Sequence, residues 1–100
     1  MTTLFTINKS WHNSTWLFEQ LMFASEGDSI LLLEDAVLCI DSQVTLASFV
    51  AKCRSRKIDV FALREDTRLR GVENRFNDIE LVDYAGFVAL VTQHDKQVAW

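Results

Sequence analysis

A chain of 100 residues has room for one domain and one core, and a domain of that size hides only about 65% of the surface its unfolded form exposes. Apolar residues make up 49% of it, with three Trp and seven Phe, more large apolar side chain than one small core easily covers, so a partner subunit is expected. A formal charge of -4 argues against non-specific binding to nucleic acid; no window approaches the roughly 20 apolar residues of a membrane span and no secretory signal is evident, so a soluble cytoplasmic protein is expected.

Leu4 to Ile7 is a short apolar and β-branched run that predicts a first strand. Asn13 and Ser14 offer capping oxygens for a helix over Thr15 to Ser25, which Gly27 ends. Ser29 to Leu33 is unbroken apolar after its serine, the pattern of a strand covered on both faces and the best candidate for the sheet's centre. Ser42 caps a second helix to about Arg54, on which Leu46, Ala47, Val50 and Cys53 recur at helical spacing. Asp59 to Leu63 follows as a strand, then Glu65 to Arg70 as a short helix that Gly71 terminates. Ile79 to Val82 is a further strand, Asp83 caps a helix through Thr92 or Gln93, and Gln97 to Trp100 closes the sheet. This alternation, without an Asn-Gly hairpin, predicts one α/β domain over residues 1–100. Its Rossmann-like, mainly parallel sheet has four or five strands, with helices on both faces.

The familiar chemistries of that architecture find little support. Gly27, Gly71 and Gly86 are too scattered for a phosphate loop. His12 and His94 stand in no metal motif and are best taken as surface or capping residues, so neither a metal nor a cofactor is implied. Cys39 and Cys53 match neither the redox CxxC spacing nor a zinc set, and reduced thiols are the default. Cys53 shares a helical face with Leu46 and Val50, where a thiol behaves as a small apolar group. Cys39 follows the carboxyl end of the central strand, where open α/β sheets place functional groups, yet its neighbours Glu34, Asp35 and Asp41 would raise its pKa and blunt it.

The first helix is more informative. Leu17, Leu21 and Ala24 fall on one side with Phe18 adjoining, the stripe a core-facing helix needs. On the same wheel Trp16 and Phe23 project to the other side, flanking Gln20 and close to Glu19. An exposed aromatic pair there points to a binding surface; coverage by the chain's own first loop or last residues is the alternative.

Four segments, TINKSW near the start, FASEGDSILLLEDAV, VDYAGFVALVTQHD and the closing QVAW, together resemble the TusB/DsrH family of sulfur-relay proteins, in matching order over almost the whole chain. The resemblance implies the Rossmann-like fold and the smallest subunit of a heterohexamer with TusC-like and TusD-like chains. Such a complex takes persulfide sulfur from a TusA-like carrier, holds it on a cysteine of the TusD-like subunit, and passes it to a TusE-like carrier for 2-thiolation of the tRNA wobble uridine. DsrH-type members, associated with sulfur oxidation, resemble this sequence around the first helix but bear cysteine where Gln20 stands. An amide cannot carry sulfane sulfur, so the resemblance favours the tRNA-thiolation branch. Neither Cys39 nor Cys53 inherits a role from it.

The expectation is therefore a non-catalytic subunit whose partner interface includes Trp16, Gln20, Phe23 and a docked Trp100, with no membrane and no direct nucleic-acid contact. Two other functions compete with it. One is a sulfurtransferase that carries persulfide on its own Cys39. The other is an RNA-contacting module built from Arg54, Arg56, Lys57, Arg64, Arg68 and Arg70, which the net negative charge makes the least favoured.

Overall fold

A computed structural model describes residues 1–9, 14–40 and 44–100. The five predicted strands form as β1 (Thr3–Ile7), β2 (Ser29–Leu32), β3 (Asp59–Leu63), β4 (Ile79–Val82) and β5 (Lys96–Ala99). They make one sheet in the order β4-β3-β2-β1-β5, and all four pairings are parallel. The unbroken apolar β2 is the central strand, as its composition requires: all four of its residues are buried, and so are all five of β1. The helices are α1 (Ser14–Leu21), α2 (Val44–Ser55), α3 (Arg64–Leu69) and α4 (Tyr84–Gln93). The caps assigned to Asn13 and Ser42, and His12, lie outside the described residues, and the Ser14 side chain is likewise undescribed.

Strand alternation sorts the core onto two faces. Phe5, Ile7, Ile30, Leu32, Val60, Ala62 and Ile79 meet Leu17 and Leu21 of α1 and Leu46, Phe49, Val50 and Cys53 of α2. Leu4 and Leu31 point the other way, toward Phe87 and Leu90 of α4, with Leu33, Phe61 and Val82 beside them. The second cluster holds far fewer buried side chains, so α4 rests on a thin layer while the α1/α2 face is thick.

Two elements differ from the sequence reading. α1 stops at Leu21, four residues short, because Met22, Phe23 and Ala24 donate their N–H groups to Glu19, Gln20 and Leu21 in tight i to i-3 turns. The helix-end carbonyls of Leu21 and Ala24 are then taken by the guanidinium of Arg56, at 2.9 and 2.6 Å. Between β2 and α2 a 3-10 helix covers Glu34–Ile40, a seven-residue stretch too short to announce itself by periodicity.

Polar contacts fix the remaining connections. Buried Asp28 accepts from the Thr3 and Ser25 N–H groups at 2.9 and 2.8 Å, closing the turn that Gly27, at φ 92°, makes possible. His94 performs the capping role expected of it: its Nδ1 lies 2.7 Å from the Leu90 carbonyl, which only accepts, so Nδ1 donates, while Nε2 is hydrogen-bonded with the Ser29 hydroxyl at 3.0 Å. The predicted cap of α4 is also present, Asp83 accepting from the Gly86 N–H at 2.8 Å.

Gly86 brings α4 against β4. A Cβ at this position would lie 2.9 Å from the Val82 Cβ, an atom fixed by the strand backbone. Gly86→Ala is expected to cost roughly 1–3 kcal/mol through overpacking, at roughly 4–8 °C of melting temperature per kcal/mol in a domain of this size. Thermal melts of the wild type and the variant check this. Cys53 generates a second expectation. Burial pushes its thiol from 9.0 up to about 12, only partly offset by the Arg56 charge and a backbone hydrogen bond. The folded state holds the proton longer than the unfolded one. The contribution to stability is thus whole below pH 9 and is lost as pH climbs toward 12. Relative to Cys53→Ala, the wild type should lose stability between about pH 9 and pH 11, measured by urea unfolding at each pH.

Candidate functional site

In a parallel sheet all the carboxyl ends lie along one edge, and here the chain emerging from β2 is strapped down across it. Leu33 donates its N–H to the Ile7 carbonyl at 2.9 Å; Glu34 then turns through φ 50°, a conformation in the left-handed region. The N–H exposed by that turn is received by Asp66 of α3 at 2.6 Å. Asp66 is buried, and its charge is balanced by Arg70, one helical turn on, at 3.6 Å. The same guanidinium reaches Asp35 at 3.0 Å, so a single cation ties α3 to the start of the 3-10 helix.

The strap determines what Cys39 can do. Ala36, Val37, Cys39 and Ile40 turn inward beneath it, and Cys39 is 4% exposed and packed within the main core. Cys53 is fully buried on α2, as its helical spacing predicts. A thiol accepts or gives sulfane sulfur only by direct attack through sulfur, which needs access and thiolate character; neither cysteine has the access. No cluster of three or more metal-ligating side chains exists among the described residues.

The proposed interface residues are not gathered into one aromatic pair. Trp16 is half-buried and packs against the main core, contrary to the helical-wheel reading, and the break after Leu21 takes Phe23 off the helix altogether. Phe23 is 71% exposed and Met22 beside it 79%, with half-buried Gln20 at the last turn of α1. Trp100 is docked, stacked on Phe5 with ring centroids 4.3 Å apart, its backbone N–H donating to the Thr6 carbonyl at 2.8 Å. What sequence reasoning missed is the outer side of α4, where Tyr84 and Val88 are more than half exposed. The signal was available: YAGFVALV bears no charge anywhere around the helix, yet the sheet can cover only one side.

The basic residues do not form one surface either. Arg54 pairs with Asp78, Lys57 with Glu26, Arg56 caps α1 and Arg70 serves the strap. Arg64 and Arg68 remain together beside β4.

Comparison with known proteins agrees with this architecture. Residues 9–97 match the family model described as DsrH like protein. Protein TusB from Escherichia coli strain SMS-3-5 / SECEC is 42% identical over 94 residues, spanning 89% of this chain and 95% of that protein, and Protein TusB from strain K12 gives the same figures. The crystal structure of the ychN protein from E. coli superposes with a TM-score of 0.75, covering 99% of this chain and 98% of that one at 14% identity, a likeness of fold alone. The chain belongs to the TusB/DsrH family.

Proposed function

We propose that this chain is a non-catalytic subunit of a cytoplasmic sulfur-relay complex. In this reading it assembles with TusC-like and TusD-like chains into a heterohexamer that receives persulfide sulfur from a TusA-like carrier and hands it to a TusE-like one for 2-thiolation of the tRNA wobble uridine. Family membership supports a role in sulfur relay for tRNA thiolation. The observation that carries the non-catalytic part is that both thiols are closed off, Cys39 beneath the strap and Cys53 in the helix core. The resemblance sets Gln20 at the position where DsrH-type proteins would bear cysteine, and an amide offers no sulfur nucleophile.

A subunit with no accessible thiol contributes by shape. Phe23 and Met22 at the end of α1 are the kind of side chains that anchor interfaces, with Gln20 beside them; Trp16, in the first turn of α1, is half-buried against the main core. Trp100 packs on Phe5 against the main core and is assigned to the same interface.

The test is to purify the tagged chain from its native cell, treat the recovered complex with a persulfide donor, and map the added sulfur by peptide mass spectrometry. Two related small α/β chains are expected to co-elute, with sulfur on a partner's cysteine and none on Cys39 or Cys53. Sulfur on Cys39 accumulating as fast as on any partner would instead establish it as the carrier. Phe23→Ala and Trp100→Ala should each weaken assembly by about 2 kcal/mol, roughly thirtyfold in Kd. Unchanged sedimentation of either variant complex removes that residue from the interface.

A further inference from the structure

We propose that the groove between α3, the segment after it and β4 is a docking site for an acidic, aliphatic segment of a partner polypeptide. The groove is an open cleft of about 450 Å³. Its floor is apolar: Val72 and Leu81 line it and are themselves packed against the main core, so the surface is fixed. Over it stand Arg64 and Arg68, one helical turn apart on α3.

The other polar groups of the groove are already engaged within the chain. The Thr67 hydroxyl donates to the Arg64 carbonyl at 2.7 Å. Asn74 spends its amide N–H on the Ile79 carbonyl at 2.8 Å and its oxygen on the Phe76 N–H at 3.0 Å. Glu73 is paired with Arg75 at 3.4 Å. Arg64 and Arg68, by contrast, have no ion-pair partner among the described residues, and Arg64 is half-buried. A partly desolvated cation without a partner is costly, and like charges at this helical spacing add a repulsion of roughly 0.2–0.5 kcal/mol. A carboxylate between the two guanidiniums reverses both effects, in the fork geometry that arginine offers.

The groove's chemistry selects a peptide over RNA. Single-stranded nucleic acid is held by a continuous basic track and by aromatic side chains that stack its bases. Here the basic patch is two residues long, the neighbouring Arg70 is consumed by Asp35 and Asp66, and the chain carries a net charge of -4. Among the described residues no aromatic side chain lines the groove. Val72 and Leu81 instead match aliphatic side chains flanking an aspartate or glutamate. The inference does not depend on the sulfur-relay reading, since it rests only on the groove.

The test titrates the full-length chain, followed by amide and methyl NMR shifts, with an acetylated, amidated hexapeptide of alternating Glu and Leu. The same peptide with Lys for Glu, and an RNA hexamer, serve as comparators. Saturable shifts of Val72, Asn74 and Leu81 are expected with the acidic peptide alone. Arg64→Gln/Arg68→Gln should weaken it at least tenfold, Arg54→Gln, which lies outside the groove, should leave it unchanged, and Arg64→Glu/Arg68→Glu should transfer binding to the Lys peptide. If the double variants melt early, exposed Arg68→Gln alone is measured, with a loss of at least threefold expected. Absence of groove shifts, tighter binding of the RNA hexamer, or an equal loss in Arg54→Gln would overturn the proposal.

Discussion

The carboxylate of Asp66 receives the Glu34 N–H at 2.6 Å, and the covering of the sheet's carboxyl edge follows from that contact. The turn at Glu34, with φ 50°, points a backbone donor away from any strand or helix; an unpaired donor in this half-buried place would cost roughly 1–3 kcal/mol. Bonded to a carboxylate it instead contributes roughly 1.5–3 kcal/mol, a large share of the roughly 5–15 kcal/mol that holds a whole domain folded. Arg70 makes the arrangement tolerable by balancing Asp66 and extending to Asp35. Three side chains from two elements thus hold a seven-residue 3-10 helix over the edge where this architecture usually keeps its reactive groups, and Cys39 is closed in by it.

The two faces of the sheet tell a complementary story. Beneath α1 and α2 the core is thick enough to absorb Cys53, Phe49 and half of Trp16. Beneath α4 the buried cluster among the described residues is Leu4, Leu31 and Leu90, and the helix leaves Tyr84, Val88 and Val91 in water. Met22 and Phe23 add exposed apolar surface at the end of α1. Closed thiols together with exposed apolar residues are what the proposed subunit role requires, since partner chains would cover the large apolar side chains that this core leaves outside.

Much of this was legible in the sequence. The apolar run of β2 marks the best candidate for a central strand, Asp83 a cap, and Leu17, Leu21 and Ala24 a core stripe; all three hold. What the sequence hid depends on partners distant in the chain. Nothing local in Arg56 says that its guanidinium ends α1, thirty-five residues earlier, and without that contact the wheel carries Phe23 onto a helix it never joins. Nor does anything local in Asp66 say that it serves Glu34, so the 3-10 helix was invisible. The family segments were readable because they are collinear; the Arg64 and Arg68 groove was not, because it emerges only when the neighbouring Arg70 and Arg75 have found their carboxylates.

The most direct measurement is the rate at which Cys39 of the folded chain reacts with an alkylating reagent, followed by peptide mapping against Cys53 as urea is raised from zero. The account predicts that both cysteines are inert in native buffer and become reactive together, across the unfolding transition. Alkylation of Cys39 in native buffer at the rate of a free thiol, with Cys53 still protected, would contradict it.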